Sequence, residues 1–572
     1  MNQKVVRGVV AVALGGTVVY TIASAVAMAR PASPAMGGMP MPASLSASPA
    51  PAAPTSVTDI PASRTRTVTL VAAPGHLTIR RGQTVPVWTF NGTVPGPEIR
   101  VYQGDRVRVT LVNHLPWATT IHWHGLLDRN SNDGVAGVTQ DAVLPGHSYT
   151  YDFVARDPGT YWYHPHQKSD EEVDKGLYGA LVILPHRAAV SPAVDRTLVL
   201  DDWPLTGAMA TGMPGMTMST ATATGMGGIS GMPTPTATAT SMGAMAMPSA
   251  MARGVGGMGA ASGSALRPYL ADPGMGAYQT FTINGHAYPD TAPVQAPPGT
   301  LVRLRLINVG YLTHVLHLHG TAYRLVATDG SAVNRPQETA DLLPIAAAQR
   351  MDIEFRMPRG VWSLHDHDTL SGAGEMRVIV GQGARPSAAD ERAMRAAAPP
   401  LLDLARYGVA APAPFTARGR FDRVFRLVLQ GAKPSMPMGG TSGMTSMSMD
   451  TYTINGKLFM QGAPLVVRRG QRVEISFVNK SVAAHPMHLH GHRMQVLSLN
   501  GEPVTGAPLY QDTVMALPGK TTTVAFTADN PGVWMLHCHE LHHAAAGMDT
   551  LLQYQGSPRF AQLGGAAGNN PE

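Results

Sequence analysis

One pattern occurs three times along this chain, and this repeat limits the folds that the chain can adopt. Each copy alternates apolar and polar residues between a glycine and an asparagine and reaches a His-x-His-Gly motif twelve residues later, giving the segments 104–125, 299–320 and 470–491. Alternation with a period of two is typical of a half-buried strand. Each copy opens on an Asn-Gly turn and closes on a second His-x-His strand. Short strands with frequent turns predict three related β-sandwich domains.

We therefore expect an all-β chain whose domains are joined and flanked by segments of low complexity. The 572 residues suffice for several domains. Low-complexity segments are expected to be flexible, because they cannot bury enough apolar surface to offset the ordering entropy. The predicted division is a signal peptide or N-terminal anchor (1–30), a flexible linker (31–60), domain 1 (61–200), a Met-rich insertion (201–276), domain 2 (277–395), a linker that begins domain 3 (396–430), a second Met-rich loop (431–450), domain 3 (451–560) and a flexible tail (561–572).

The N-terminus indicates an exported protein. Lys4 and Arg7 precede a long apolar run, and the sequence Ala-Met-Ala at 27–29 is a plausible cleavage site. We expect the periplasm or the cell exterior, with membrane contact only if this segment stays uncleaved. The net charge of +6 comes without a basic stripe interleaved with aromatic residues, which argues against a nucleic-acid partner.

The repeated His-x-His pairs predict a metal centre. Alternate residues of a strand point to one face, so each pair presents two imidazoles side by side. Imidazole is a good copper ligand. Domains 1 and 3 together offer eight imidazoles for a polynuclear site, namely His122, His124, His164, His166, His488, His490, His537 and His539.

Domain 3 adds a second ligand set around the single cysteine of the chain. Two imidazoles, one thiolate and a weak axial thioether define a blue-copper electron-transfer site. Here they are His485, Cys538, His543 and Met548. A lone thiol in an exported protein needs an explanation, and metal ligation supplies one. Because Cys538 lies between two histidines of the polynuclear set, the backbone would link the two sites.

These motifs resemble, in order, the four copper motifs of the three-domain multicopper oxidases, the laccase-like and cuprous oxidase family. The resemblance covers nearly all of residues 60–560. It implies cupredoxin-like Greek-key sandwiches, four copper ions, and the one-electron oxidation of a reducing substrate coupled to the reduction of O2 to water. By motif position it implies a type 1 copper at His485, Cys538, His543 and Met548, a type 2 copper at His122 and His488, and a type 3 pair at His124, His164, His166, His490, His537 and His539.

Reduction of O2 to water also needs protons. Asp133 matches the family's acidic residue near the type 2 copper, so we count it as catalytic together with Cys538, His537 and His539; the alternative is a turn-forming Asp-Gly pair. Many bacterial members carry another acid directly after the last type 1 histidine, where this chain has Ala544. Glu540 substitutes for that acid only if it points inward.

Domain 2 keeps the frame but not the blue site. Asp366 and Ser371 stand where domain 3 has the cysteine and the second type 1 histidine, whereas His314 and Met376 match the other two ligands. The remaining histidines are either a vestige, which the resemblance favours, or an extra metal site; they are His317, His319, His365 and His367.

The methionines bear on the substrate. Of 32 methionines, 12 lie in 205–276 and five in 431–450. Thioethers favour Cu(I), and the cuprous oxidases of copper tolerance carry similar insertions, which implies Cu(I) as the substrate; a low-complexity linker is the alternative reading. The stretch 482–484 lacks the Asp and Met that hold Cu(I) in some cuprous oxidases. A laccase acting on phenols and aromatic amines, with Asp512 orienting a phenolic hydroxyl, and a copper-sequestering protein therefore stay open.

Overall fold

The computed structural model describes residues 63–186, 192–204, 278–367, 376–382, 399–431, 451–557 and 562–572, the stretches 9–14 and 17–22, and a few positions between 386 and 397. The chain forms two units, Met1–Ala47 and Ser48–Glu572. In the first unit β1 (Val9–Leu14) pairs antiparallel with β2 (Thr17–Ile22). The rest of the predicted signal segment, the linker 31–60 and the Met-rich stretches 205–277 and 432–450 lie outside the described residues.

The second unit begins with a sandwich of two four-stranded sheets. Its strands are β3 (Thr65–Arg80), β4 (Gln83–Phe90), β5 (Gly96–Tyr102), β6 (Arg106–Asn113), β7 (His122–His124), β8 (Ser148–Val154), β9 (Gly159–His164) and β10 (Gly179–Leu184). The sheet orders are β4-β3-β6-β8 and β5-β10-β9-β7. The helix α1 (Ser169–Asp174) follows β9.

The second sandwich has a larger and a smaller sheet. Its strands are β11 (Val194–Pro204), β12 (Tyr278–Ile283), β13 (Leu301–Asn308), β14 (His314–Leu318), β15 (Tyr323–Thr328), β16 (Ser331–Ala332), β17 (Glu338–Thr339), β18 (Leu343–Ile345), β19 (Arg350–Arg356), β20 (Val361–Asp366) and β21 (Arg377–Gly381). One sheet runs β12-β11-β13-β19-β15-β16 and the other β18-β14-β20-β21. The predicted limit of domain 1, residue 200, falls inside β11, whose partners are β12 and β13.

The third sandwich repeats this plan. Its strands are β22 (Arg423–Gly431), β23 (Tyr452–Ile454), β24 (Leu465–Val467), β25 (Arg472–Asn479), β26 (His485–Leu489), β27 (Met494–Leu499), β28 (Glu502–Pro503), β29 (Leu509–Gln511), β30 (Thr513–Ala516), β31 (Thr521–Thr527), β32 (Val533–Cys538) and β33 (Asp549–Tyr554). The sheets run β23-β22-β25-β31-β27-β28 and β24-β33-β32-β26-β30. The short helix α2 (Leu541–Ala545) joins β32 to β33. No helix in the described part of the chain has the length and hydrophobicity needed to cross a membrane.

The sequence alternation explains how the sheets pack. In β6 the apolar residues Val107, Val109 and Leu111 are buried, whereas Arg106 and Arg108, which alternate with them, are exposed. The apolar faces of paired sheets meet in one core per sandwich, as expected when a two-residue period places every second side chain on one face. The fold is therefore all-β with cupredoxin-like domains, as the repeat and the resemblance predicted.

The strand register brings the His-x-His motifs to equivalent places in the three sandwiches. In each sandwich the first histidine of one pair lies directly across from the first histidine of the other pair on a neighbouring antiparallel strand. The cross-strand partners are His122 and His164, His317 and His365, and His488 and His537. Each sandwich thus carries two imidazole pairs on one face.

Candidate metal centres

The eight histidines of the first and third sandwiches form one buried cluster. His122 stacks on His490 with ring centroids 3.9 Å apart, and His124 stacks on His488 at 3.8 Å. Nε2 of His490 lies 3.1 Å from Nε2 of His537. All eight side chains are buried. The cluster includes triads in which one ring nitrogen from each residue lies within 4.8 Å of the other two, such as His166, His490 and His537.

The free ring nitrogens of this cluster fit a metal site. Six of the eight imidazoles have a buried nitrogen without a hydrogen-bond partner among the described residues; these are Nε2 of His122, His164, His166, His488 and His539 and Nδ1 of His124. Buried polar atoms are normally paired, so such a concentration of unpaired ring nitrogens is typical of a metal-binding site. Burial and neighbouring imidazoles lower the pKa of most members of the cluster, including His164 and His539. Neutral imidazoles are the form that binds metal ions.

The opposite nitrogens of these rings are held by the protein. Nδ1 of His122 donates to the Asp133 carbonyl at 2.7 Å, Nδ1 of His488 to the Asp512 carbonyl at 2.9 Å, and Nδ1 of His164 to the Pro165 carbonyl at 2.8 Å. A donor bond at one ring nitrogen fixes the tautomer and leaves the other nitrogen to the metal. The cluster is therefore pre-oriented for polynuclear binding.

Asp133 lies between two members of the cluster. Its carboxylate is 3.0 Å from Nδ1 of His490 and 3.3 Å from Nδ1 of His122, and the residue is buried. The turn geometry is present as well, because Gly134 has φ +75° and a Cβ there would lie 1.8 Å from the Ile121 carbonyl oxygen. The turn and the acidic position thus coexist, since the turn aims the carboxylate at the two rings.

A second carboxylate near the cluster corrects one sequence-based hypothesis. Asp512 was a candidate for orienting a phenolic substrate, but it is buried and lies 3.2 Å from Nε2 of His124. Arg350 of the second sandwich binds it through two nitrogens at 2.7 and 2.6 Å and also donates to the Thr160 carbonyl of the first sandwich at 3.1 Å. Burial acts to raise the pKa of Asp512, yet Arg350 holds it well below its usual range. Asp512 therefore supports the cluster rather than a substrate.

The C-terminal segment also contradicts an expectation. Residues 561–572 were predicted to be a flexible tail, but the described residues 562–572 pack against the first and third sandwiches. Asn569 donates to Asp141 at 2.8 Å, the Pro571 carbonyl accepts from Nδ1 of His166 at 2.8 Å, and the buried Glu572 carboxylate lies 3.1 Å from Nδ1 of His537. Burial raises the pKa of Glu572 well above its usual range. Glycine-rich composition concealed this contact, and no motif signals it.

The blue-copper set of the third sandwich is also assembled. Sγ of Cys538 lies 3.6 Å from Nδ1 of His485 and 3.7 Å from Nδ1 of His543, and these two nitrogens are 3.2 Å apart. Met548 is buried in the same core as Cys538, and its backbone N–H donates to the His543 carbonyl at 2.9 Å. Two nitrogens and a sulfur that converge in a dry pocket suit a soft ion that binds imidazole and thiolate together.

Glu540 takes no part in the polynuclear cluster. Its carboxylate caps α2 by accepting from the backbone N–H groups of His542 and His543 and lies 3.0 Å from Nδ1 of His543. Burial acts to raise its pKa, but His543 and His542 outweigh burial and bring the pKa to about 2. The acid that sequence analysis offered as a substitute therefore faces the cysteine-containing site, and Glu572 is the additional acid beside the cluster.

The corresponding place in the second sandwich holds an ion triad. Nε2 of His314 lies 2.9 Å from Asp202, and Nδ1 lies 2.8 Å from Asp366, the residue that replaces the cysteine. Burial acts to lower the pKa of His314, but the two carboxylates raise it to about 10. Met376 is buried in the adjacent core, and Ser371 lies outside the described residues. A protonated imidazole cannot ligate a metal, so this position is structural.

A cupredoxin-like fold with a buried imidazole cluster beside a Cys/His/His/Met set defines a copper-dependent oxidoreductase. Family profiles described as multicopper oxidase match residues 72–188, and residues 264–381 together with 433–555. They cover more than half of the chain, which therefore belongs to the multicopper oxidase family.

Individual relatives agree with this assignment. The chain is 32% identical over 496 residues to the multicopper oxidase MmcO of Mycobacterium tuberculosis, covering 86% of this chain and 87% of the relative. It is 25% identical to copper resistance protein A of Escherichia coli, covering 80% and 88%, and 25% identical to laccase-6 of Oryza sativa, covering 82% and 89%. The laccase from Botrytis aclada has the same fold, with a TM-score of 0.60 at 22% identity over 86% of this chain and 88% of that chain.

Proposed function

We propose that this multicopper oxidase oxidises Cu(I) to Cu(II) in four one-electron steps and couples them to the reduction of O2 to water. The single observation that carries the catalytic part is the buried eight-histidine cluster with its unpaired ring nitrogens next to the set around Cys538. Bound copper would supply one-electron transfer at the cysteine and four-electron reduction of O2 at the cluster.

The proposed occupancy is four copper ions in the arrangement that the motifs imply. The type 1 ion takes the Cys538 set and the type 2 ion takes His122 and His488. Each ion of the type 3 pair takes three of the six remaining imidazoles. The triad His166, His490 and His537 supports one ion of that pair, because its nitrogens converge from both sandwiches.

The protein's own residues have three tasks in this scheme. Cys538 lies between His537 and His539 in the chain, so only covalent bonds separate the two centres. The Asp133 carboxylate accepts a hydrogen bond from Nδ1 of His490, and the Asp133 backbone carbonyl accepts one from Nδ1 of His122. This carboxylate is the group best placed to pass protons inward. Burial lowers the pKa of most rings of the cluster, including His164 and His539, since desolvation disfavours the imidazolium form.

The positions at which the Met-rich segments leave the fold support Cu(I) as substrate. Residues 205–277 connect Pro204 of β11 to its cross-strand partner Tyr278 of β12, and the Tyr278 hydroxyl lies 3.3 Å from Nε2 of His542. Residues 432–450 connect β22 to β23, where the Tyr452 ring lies 3.9 Å from the ring of His543. The two segments are therefore attached beside His542 and His543, and His543 belongs to the ligand set of Cys538. Thioethers are soft donors suited to Cu(I).

Copper chemistry of this kind belongs outside the cytoplasm, and the basic and apolar N-terminal segment is the sequence support for export. We propose a periplasmic or extracellular protein. A fusion of residues 1–60 to a reporter that is active only after export tests this point, with a Lys4→Glu/Arg7→Glu fusion as the control.

Oxygen uptake by the copper-loaded protein tests the substrate. Cu(I) and a dimethoxyphenol are compared as reductants for three proteins: the parent chain, a variant with residues 205–276 replaced by a short turn, and a full-length variant in which the twelve methionines of that segment are leucine. A short turn is compatible with the fold because Pro204 and Tyr278 are already paired. We expect both variants to lose the preference for Cu(I) while phenol oxidation persists.

A laccase that oxidises phenols and aromatic amines is the second candidate. Val482, three residues before His485, is 75% exposed. An exposed apolar side chain at this place suits contact with the aromatic ring of a substrate. Equal use of both reductants by all three proteins would favour the laccase. Copper binding without oxygen uptake from either reductant would favour the third candidate, a copper-sequestering protein.

A further inference from the structure

We propose that the second sandwich binds one additional metal ion, a divalent cation that prefers imidazole, with Cu(II) favoured over Zn(II). The ligands are His317, His319, His365 and His367, which lie outside the two centres described above. All four imidazoles come from one sandwich, so this site needs no facing domain.

The backbone already presents these histidines as it presents the ligand set of the third sandwich. His317 lies across from His365 on antiparallel strands, as His488 lies across from His537. His319 lies two residues beyond His317, and its ring stacks on that of His365 with centroids 4.7 Å apart. The same pleat and register therefore place the four rings at one end of the sandwich.

The spacing of the rings is close to what one metal ion requires. A four-coordinate ion with metal–nitrogen bonds of about 2.0–2.1 Å places the centres of neighbouring imidazoles roughly 4.5–5 Å apart in tetragonal or tetrahedral geometry, and those of a trans pair in tetragonal geometry roughly 6 Å apart. The observed centroid separations are 4.7 Å for His319 and His365, 5.7 Å for His317 and His367, and 5.8 Å for His365 and His367. The His317–His319 separation of 3.8 Å is shorter than this spacing and would widen by roughly 1 Å on binding, whereas the His317–His365 separation of 6.2 Å matches only a trans pair.

The chemical state of the rings also suits a ligand set. His317 and His319 are only 6% and 5% exposed. Nδ1 of His317 and Nε2 of His319 are nevertheless without a hydrogen-bond partner among the described residues. Burial lowers the pKa of His317 to about 4 and that of His319 to about 3. Nε2 of His367 bonds to the Ala397 carbonyl at 2.8 Å, which leaves its Nδ1 for the ion.

Two features set the identity and affinity of the ion. A ligand set made only of imidazole, without thiolate, selects borderline divalent ions, among which Cu(II) binds most tightly. Arg377 lies across from His365 on the neighbouring strand, where the third sandwich has Asp549 opposite His537. Its guanidinium sits 4.9 Å from the ring of Tyr288 and adds a positive charge near the rings. We therefore expect weaker binding here than at the clustered sites.

The test is metal stoichiometry and electron paramagnetic resonance of the full-length protein after copper loading and desalting. The parent is compared with His317→Ala/His319→Ala and with the control His76→Ala/His147→Ala, which removes two exposed histidines. We expect the first variant to lose one copper equivalent per chain and one signal with all-nitrogen hyperfine coupling. The blue band and oxygen uptake should stay at parent values, as in the control.

Equal copper content and identical spectra of the first variant and the parent would overturn the proposal. Loss of the blue band together with the copper would also overturn it, since the histidines would then serve only the fold. His317→Gln/His319→Gln covers the case in which the alanine variant does not fold. Titration with Zn(II) decides the ion: Zn(II) binding in the parent that Cu(II) cannot displace would refute the preference for copper.

Discussion

The second and third sandwiches have the same strand plan, but they differ at the residue between the two histidines of their second His-x-His motif. In the third sandwich this position is Cys538, which lies 3.6 and 3.7 Å from two imidazole nitrogens. In the second sandwich it is Asp366, which bonds to a protonated His314 at 2.8 Å. A cysteine beside two imidazoles suits a copper ion, whereas a carboxylate beside imidazolium forms an ion pair. Two positions, 366 and 371 in the second sandwich against 538 and 543 in the third, thus distinguish an ion-pair site from a candidate redox centre.

The two sandwiches also differ in what faces their His-x-His pairs. The pairs of the third sandwich meet those of the first, so His122 stacks on His490 and His124 on His488. Among the described residues, the four histidines of the second sandwich make their histidine ring contacts with one another and not with a facing sandwich. The second sandwich contacts the cluster indirectly, because its Arg350 binds the carboxylate of Asp512, which lies beside the cluster. The histidine cluster is therefore built from two facing sandwiches, the first and the third, and the second sandwich supports it.

The largest effect is expected from Cys538→Ser. The variant should lose the blue colour and all turnover, because a serine hydroxyl stays protonated and is a poor copper ligand at this site. The eight imidazoles are unaffected, so the spectra of the cluster coppers should persist. Optical absorption and copper content per chain measure both effects. A blue variant would show that the cysteine is not the type 1 ligand.

His314→Gln tests the ion triad of the second sandwich. Removing the cation leaves the carboxylates of the buried Asp202 and the partly buried Asp366 without the imidazolium between them, at a cost of up to about 3–5 kcal/mol in the free energy of unfolding. The folded pKa of about 10 lies above the unfolded value near 6.5, so the triad stabilises fully below pH 6.5 and its contribution is lost as pH rises through about 10. Denaturant unfolding between pH 6 and 10 measures this, with exposed His286→Gln as control. A variant as stable as the control would refute the triad.

Asp133→Asn tests the acid that the first sandwich supplies to the cluster. Loss of a positioned proton donor should slow oxygen uptake roughly 100-fold. Copper content should not change, because the amide oxygen can still accept from His490. Oxygen uptake across a pH series, with copper analysis of each sample, measures the effect. Turnover equal to that of the parent at every pH would show that Asp133 only forms the turn and has no role in proton transfer.

Arg350→Met tests the support from the second sandwich. Without its partner the buried Asp512 no longer holds a fixed orientation toward His124, so copper affinity at the cluster should fall roughly 10–100-fold. Competition with a copper chelator measures the affinity. Arg356→Met changes an exposed arginine on the same strand and should behave like the parent. Equal affinities for both variants would restrict Arg350 to holding the domains together.

The smallest effect is expected from Glu572→Gln. The amide can still accept a hydrogen bond from His537 but, unlike the carboxyl group, it cannot release or take up a proton, so turnover should fall by about tenfold or less. Near-ultraviolet absorption of the type 3 pair and oxygen uptake measure the change. Glu502→Gln, at an exposed glutamate, is the matched control. If both variants equal the parent, the C-terminal segment packs beside the cluster without affecting it.

Much of this protein follows from its sequence alone, because local patterns carry the information. Strand alternation with a two-residue period determines which face of each sheet is buried, and the repeat places a His-x-His pair at the same register in each sandwich. The ligand candidates of both centres, and the loss of the cysteine at position 366, are visible in the order of residues. These features depend on neighbours that are close in the chain.

Only the tertiary structure decided which distant residues meet. Arg350 reaches Asp512 across 162 positions, and Glu572 approaches His537 after a glycine-rich segment whose composition indicated flexibility. The fate of Glu540 was equally open, since its backbone position allows either direction, and capping of α2 turned it toward His543. Such contacts arise from the packing of one domain or segment on another, and no local period or spacing encodes them.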